Sequence, residues 1–384
     1  MELLRSFQAH GPVTLSQDRR DSRVVLRKRL DDYELRNVEL ADPTEHPRRP
    51  LATKMFDEIF CETWKQAEPW IGDAGRLQPW SAFVVDSVDV HFVREEMEQS
   101  LGLLDAKLVA ENKRRELAVY RAGDAIVVVT ADDRAALLEQ GIRCPIFVIP
   151  NIVPFLPRRE RPRKRELSFI AGFKHRPNVD GLLWFVENCW ERIRLEVPDA
   201  ELTIVGSNAG ESVLALAERP GITVAGFVPS TEPYLDAAAV SIAPLRYGGG
   251  LKGKVCEAMA AGVPVVGMPA ALQGIPAQDR ISVRIADDPI TFSAAVVELL
   301  RDSVFAEKLG AEGRKVVAEI CGPDVVRSAV EELMSWLAAR PAPSFAQRCA
   351  WQLARRGWLT IHACRRWARR VYDSRDKRGK AVTP

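Results

Sequence analysis

From about residue 80 onward, short apolar runs alternate with longer stretches in which apolar positions recur every three or four residues. Short runs rich in β-branched residues suit strands, and the longer amphipathic stretches suit helices. In the first series SAFVVDSVDVHF is a strand with its exit loop, and a charged helix runs from Arg94 to about Tyr120. AIVVVT (125 to 130) is a strand, ADDRAALLEQG a helix and PIFVIPN a further strand. Asp132 and Asp133 fall in the first turn of that helix, where the dipole favours acids, and Gly141 provides its C-cap.

Residues 154 to 166, PFLPRRERPRKRE, interrupt this rhythm with three prolines and a run of basic charge, as an interdomain linker does. A second series follows. LSFIAGF, ELTIVGS, ITVAGFV, VSIAPLRYGGG and VPVVGM read as strands, and NVDGLLWFVENCWERIRLEVP, SVLALAERPG, EPYLDAAA and KVCEAMAAG read as the helices between them. Such alternation predicts an α/β fold with doubly wound parallel sheets, whose ligands bind at the carboxyl ends of the strands. Function is therefore expected in loops 172 to 178, 206 to 210, 226 to 230 and 246 to 257. The chain opens with a helix-like LLRSFQAH and a strand PVTLS rather than a strand and glycine-rich turn, so the first domain reads as shortened. The resulting plan is an N-terminal Rossmann-like domain over 1–153, a linker over 154–166, a second such domain over 167–340 and a tail over 341–384.

Length agrees with this plan, because 384 residues exceed what one hydrophobic core usually serves. No run approaches the eighteen or so apolar residues that a spanning helix needs, and the N-terminus lacks the apolar core of a signal peptide, so a cytoplasmic protein is expected. The seven cysteines show no paired metal-binding spacing, and an odd number suits a reducing compartment. Charge changes the picture at one end only: residues 341–384 carry 11 Lys and Arg against 2 acidic residues, within a chain whose net charge is +2. The tail is a separate electrostatic object.

The densest chemical signal is APLRYGGGLKGKVCEAMAAGVPVV, residues 243 to 266. Three glycines, Gly248, Gly249 and Gly250, followed by Leu251 and a helix start, let the backbone approach a ligand closely and present amides together with the helix N-terminus. That combination favours phosphate. Lys252 and Lys254 add mobile cations where a diphosphate leaving group would develop charge, and Glu257 places a carboxylate for hydroxyls in the same crevice.

This stretch resembles the family 4 glycosyltransferases, the glycosyl transferases group 1, of the GT-B fold. The likeness extends to GFKHRPNVDGLLWF (172 to 185), LTIVGS (202 to 207), VAGFVPSTEPYL (224 to 235), IADDPITFSAAVVELLRD (285 to 302), AGDAIVVVTADDRAAL (122 to 137) and VIPNIVP (148 to 154). The resemblance implies two Rossmann-like domains facing across a cleft and a retaining transfer from a nucleotide diphosphate sugar. The second domain would hold the donor, and the first a glycan or lipid-linked acceptor. It implies that Glu257 is the second acid of a Glu-x7-Glu motif and binds the ribose, whereas the first acid falls at Gly249. It further implies phosphate contacts from Lys174 and Arg176, base contacts from the backbone of Phe227 and Val228, and a catalytic contact to the donor sugar from His91. No cofactor and no metal is expected. His10 and His46 have no supporting pattern.

The tail breaks at PAPS, and AQRCAWQLARRGWLTIHACRRWARRVY then reads as a helix. One side gathers Leu353, Trp358, Ile361, Cys364, Ala368, Val371 and Tyr372, and the other Arg348, Arg355, Arg356, Arg366, Arg369 and Arg370. Two readings stay open: a helix lying on an anionic membrane surface, which would make the protein peripheral at the inner face, and a final helix packed back on the domains. Nucleic acid is not expected, because no binding module accompanies the charge. Beside an enzyme of polysaccharide biosynthesis stand a noncatalytic nucleotide-sugar or glycan-binding protein and, less well supported, a nucleotide-sugar epimerase.

Overall fold

The computed structural model describes residues 12–15, 38–40, 49–155, 165–357 and 360. The segment LLRSFQAH, His10, His46, most of the linker and the tail beyond 357, apart from 360, lie outside the described residues. Twelve strands are described: β1 (Val13–Leu15), β2 (Val38–Leu40), β3 (Glu58–Glu62), β4 (Ala82–Asp86), β5 (Ala125–Val128), β6 (Ile146–Val148), β7 (Glu166–Ile170), β8 (Glu201–Val205), β9 (Ile222–Gly226), β10 (Val240–Ala243), β11 (Val265–Gly267) and β12 (Arg284–Ile285). By contacts the chain forms two compact units, one of residues 1–86, 119–125 and 332–384, the other of 87–118 and 126–331.

The second unit contains a six-stranded parallel sheet in the order β12-β11-β10-β7-β8-β9. After β7 the chain builds outward through β8 and β9, then returns to the other side of β7 and continues through β10 to β12. The strand order therefore reverses between β7 and β10, and a crevice opens beyond their carboxyl ends. Both faces of the sheet are covered. Phe169, Leu202, Ile204 and Ile242 pack with Leu182, Phe185 and Phe292 in one core, and Ala243 and Val265 pack with Val255, Met259 and Val317 in another. This is the burial on both faces that a parallel sheet requires. Helix Arg176–Asn188 reaches the crevice because Gly181 has no side chain: a Cβ there would stand 2.4 Å from the carbonyl oxygen of Pro244, directly after β10. In the same unit β5 pairs in parallel with β6, and Thr130 caps the helix Ala131–Glu139 by accepting from the Asp133 amide at 2.9 Å.

The expected single helix from Arg94 to Tyr120 is two helices, His91–Ser100 and Ala106–Ala122. The chain turns at Gly102 (φ +71°), and the Asp105 carboxylate accepts from the amides of Lys107 and Leu108 at 2.9 and 3.2 Å, starting the second helix.

The first unit holds the parallel pairs β1–β2 and β3–β4. The side chain of Gln78 knits the segment before β3 into place: its amide nitrogen donates to the carbonyls of Leu51 and Lys54 at 2.6 and 2.7 Å, and its oxygen accepts from the Phe56 amide at 3.1 Å. Residues 345–357 are helical. Trp351, only 5% exposed, meets Trp80 edge-on with ring centroids 6.2 Å apart, and Ala354 packs on the small core around Leu51 and Leu77. The packed face of this helix thus runs through Trp351 and Ala354. Leu353, expected on the apolar side, is 70% exposed.

Candidate functional site

Two loops flank the strand-order reversal, and both are basic. The loop after β10 carries the three glycines. Gly250 adopts φ +62°, a conformation that glycine enters without penalty, and the chain then turns into helix Gly253–Ala260. Val255, Cys256, Ala258, Met259 and Ala260 of this helix are buried, which fixes its axis and leaves its N-terminus at the crevice.

Lys252 is the N-cap residue of that helix. Its ammonium donates to the carbonyls of Gly249 and Gly250 at 2.9 and 2.7 Å, and its stem lies where a Cβ on Gly248 would be, 3.2 Å from the Lys252 Cε. The expectation of a mobile cation is corrected for Lys252, which is folded onto the loop it follows. Burial pulls its pKa down to about 8, against the opposing pull of the Asp133 and Asp89 carboxylates. Lys254 is exposed and paired with Glu257 through contacts of 2.8 and 2.9 Å. Glu257 also accepts from the Thr231 hydroxyl at 3.2 Å. A carboxylate with one fixed hydroxyl donor and one flexible cation retains room to accept from a ligand. Leu251 points into the core and offers only backbone.

After β7 the loop is ordered differently. Phe173 is buried, while Lys174, His175 and Arg176 are exposed at the start of helix Arg176–Asn188. After β9, Phe227 is 75% exposed and Val228 half-buried, so the Phe227 ring is not a core residue.

His91 sits in the same compact unit as these loops. It is the first residue of helix His91–Ser100 rather than part of an exit loop, and it is largely buried. The wholly buried Glu116 caps this helix by accepting from the amides of His91 and Phe92, each at 2.9 Å. The His91 Nδ1 lies 3.1 Å from the Asp89 carbonyl and 3.3 Å from an Asp89 carboxylate oxygen. Asp89 is also ion-paired with Arg94. Sequence reasoning passed over Asp89, Arg94 and Glu116 as working residues. Asp89 and Arg94 meet the glycine loop directly: a Cβ on Gly249 would stand 3.2 Å from the Asp89 Oδ2 and 3.2 Å from the Arg94 Cβ. The structure thus brings His91, Asp89, Arg94, Lys252 and the glycines together.

An open cavity of about 580 Å³ lies alongside, lined by Trp184, Leu245, Arg246, Met268, Gln273 and Asp287 among others. Of the loops nominated from sequence it takes in only Arg246, at the start of the loop 246 to 257. We place the site at the glycine loop, where charge and backbone amides converge, and not in this cavity.

Residues 164–302 match the family model of the glycosyl transferases group 1. Residues 164–302 of the second unit are thus similar to a group 1 glycosyltransferase domain. Solved structures agree on a glycosyltransferase-like GT-B fold. S. aureus TarM, in a mutant form with fondaparinux, alpha-GlcNAc-glycerol and UDP, matches with a TM-score of 0.59 at 13% identity over 73% of this chain and 55% of that one. Sucrose-phosphate synthase from Thermosynechococcus elongatus matches with a TM-score of 0.58 at 18% identity, covering 78% of this chain and 82% of that one. Anabaena HepE with UDP-glucose gives 0.64 at 12% identity, covering 87% and 94%. The chain spans about half the length of TarM, 55%, and most of the length of the other two. No curated protein sequence matches the chain. Among the described residues, no helix is long and apolar enough to cross a membrane.

Proposed function

We propose that the protein is a retaining glycosyltransferase that moves a sugar from a nucleotide diphosphate sugar to a glycan, lipid or small-molecule acceptor. The observation that carries this reading is the convergence of the glycine loop, the N-terminus of helix Gly253–Ala260, Lys252 and Glu257 at the strand-order reversal, inside the domain that matches the family. A nucleotide lying across this crevice would give its ribose hydroxyls to Glu257 and its diphosphate to the loop amides and Lys252. Lys174 and Arg176 approach the diphosphate from the loop after β7, and the backbone of Phe227 and Val228 is offered to the base. As the glycosidic bond breaks, negative charge grows on the leaving diphosphate, and fixed amides with a half-buried ammonium stabilise that charge more than the ground state. In this scheme protein cations carry the leaving-group charge and no metal is assigned a role. His91 stands beside the loop, at the end where the sugar attached to the diphosphate would lie.

The UDP and UDP-glucose bound in HepE, and the UDP bound in TarM, support a uridine nucleotide as the first donor to try. Calorimetry with UDP and GDP on purified protein tests the placement. Glu257→Ala and Lys252→Ala should each weaken nucleotide binding by about 1 to 3 kcal/mol, the range of a charge-assisted hydrogen bond. Wild-type affinity in both variants would move the donor site elsewhere. Tight nucleotide-sugar binding with neither transfer nor hydrolysis would favour the binding-protein reading.

For the C-terminal segment we favour a division of labour. Residues 345–357 pack on the first unit through Trp351, while Phe345, 77% exposed, and Leu353 stand on the outer face with Arg348 and Arg356. Apolar side chains set among arginines suit an anionic membrane surface, and the basic sequence after 357 extends the same chemistry. The protein would then work at the inner face of a membrane on a lipid-linked acceptor of a polysaccharide pathway. Full-length protein should co-sediment with phosphatidylserine-containing vesicles in a salt-sensitive way, and Phe345→Ser with Leu353→Ser should weaken this several-fold. Equal sedimentation of the variant would assign Phe345 and Leu353 no membrane role.

A further inference from the structure

Gly249 stands where the resemblance places an acid, and the structure shows what fills the adjoining space. A side chain on Gly249 would begin 3.2 Å from the Asp89 Oδ2, and one on Gly250 would begin 3.0 Å from the Asp89 Cβ and 3.2 Å from the Val88 carbonyl oxygen. Asp89 is delivered there by an unusual turn. Val88 has φ +57°, a left-handed conformation that a β-branched residue rarely adopts. The Asp89 amide donates back to the Ser87 carbonyl at 2.6 Å, tightening the turn, while the Ser87 amide donates to the Val127 carbonyl at 2.9 Å. Strain kept at this point has a visible consequence: it presses the Asp89 carboxylate against the glycine loop. The carboxylate stays 14% exposed, with Arg94 and His91 against it.

We propose that Asp89 is a donor-sugar ligand, accepting a hydrogen bond from a hexosyl hydroxyl, and that it stands in for a side chain that position 249 lacks. This rests on the proposed donor site. Position along the donor selects the group recognised. The loop amides and Lys252 take the diphosphate, so the next group along, bonded to the second phosphate, is the sugar. A carboxylate beside a diphosphate repels it and has no use for a second anion, but it is a strong acceptor for the hydroxyls of a neutral sugar. Arg94 fixes the orientation of the acceptor, and the Asp89 oxygen close to the His91 Nδ1 couples the sugar ligand to the histidine in one turn of chain. The requirement for glycine at 249 follows, because two carboxylates cannot share the space.

The test uses the full chain and an exchange of the carboxylate between the two positions. Wild type, Asp89→Asn, Asp89→Ala, Gly249→Glu and the double variant Asp89→Ala with Gly249→Glu are titrated with UDP, UDP-glucose, UDP-N-acetylglucosamine, GDP and GDP-mannose, and donor hydrolysis is followed. The expected result is that both Asp89 variants keep nucleoside diphosphate affinity within about twofold of wild type but lose roughly tenfold or more in affinity for the nucleotide sugar and in hydrolysis, as for a charged-acceptor hydrogen bond. Gly249→Glu alone should lose nucleotide-sugar binding, and the double variant should regain part of it. Asp89 variants that bind and hydrolyse the nucleotide sugar like wild type would overturn the inference while leaving the donor site standing. Equal losses for free nucleotide and nucleotide sugar, or a fall in melting temperature without rescue at 249, would make Asp89 a structural residue and overturn it as well. Wild type that binds none of the five compounds would overturn both this inference and the donor site beneath it.

Discussion

The loops after β7 and β10 flank the same reversal of strand order and carry the same kind of charge, yet they are built in opposite ways. After β10 the ammonium of Lys252 is half-buried, two of its hydrogen bonds go to Gly249 and Gly250, and carboxylates from two other segments stand near it. After β7, Lys174 and Arg176 are exposed side chains on an ordinary helix start. A half-buried, hydrogen-bonded cation is fixed before ligand arrives and meets a developing charge with little reorganisation. An exposed one pays side-chain entropy on binding and is screened by salt. The two loops should therefore differ in what their loss does to binding, to pH response and to stability.

The largest expected effect is at Lys252. Lys252→Met, which keeps the stem over Gly248 and removes the charge, should weaken UDP binding by roughly ten- to a hundredfold, as for a charge-assisted bond in a partly desolvated site. Equal effects of Lys252→Met and Arg176→Ala would show that the two loops hold the nucleotide in the same way.

The pH response comes next in size. The Lys252 pKa is depressed from the ordinary 10.5 to about 8, by burial first, with Asp133 and Asp89 pulling it up and Arg94 pushing it down. Below about pH 8 the ammonium is charged in both the folded and unfolded chain, so the cost of burying that charge is fully present. As pH rises from about 8 towards 10.5 the folded chain sheds the proton first and the cost is relieved, so this group's contribution raises stability with pH. Diphosphate binding needs the ammonium and should move the other way, weakening about tenfold between pH 7.5 and 9.5. Calorimetry and melting curves over this range should show the opposed trends in wild type and neither in Lys252→Met. Parallel trends would remove Lys252 from the phosphate site.

The smallest effect belongs to the loop after β7. Arg176→Ala should weaken UDP binding only about two- to fivefold at low salt, less in 0.5 M salt, and leave the melting temperature unchanged, as for an exposed ion pair. A larger, salt-independent loss would show that this loop too becomes desolvated around the nucleotide.

The glycine loop was legible because its chemistry is local: three consecutive glycines after a strand, lysines at a helix start and an acid one turn on are all adjacent in sequence. Strands such as β7, β8 and β10 were legible because burial on both faces leaves short, largely apolar runs. Asp89 was not legible. Its place against the glycine loop depends on Val88 at positive φ, for which a valine gives no signal, and on an approach to glycines some 160 residues away that only the folded chain reveals. The break between helices His91–Ser100 and Ala106–Ala122 was written in Gly102 and Asp105, but the surrounding charged residues continue a helical pattern across it. β3 was missed because EIFCE is short and flanked by acids. In the tail, helical periodicity placed Leu353 on the apolar side, but the partner chosen by Trp351 is Trp80, a contact beyond any local pattern.

If a sugar is transferred at the glycine loop with His91 beside it, His91→Ala separates turnover from nucleotide affinity. A group that touches the donor sugar rather than the nucleotide should matter to the transition state far more than to ground-state binding of UDP. Release of free sugar from the best-bound nucleotide sugar should fall by about 100-fold in His91→Ala, the loss typical of a positioned catalytic group, while UDP affinity stays within twofold of wild type. Hydrolysis at the wild-type rate in His91→Ala would contradict the claim and place the reacting sugar away from this turn of the chain.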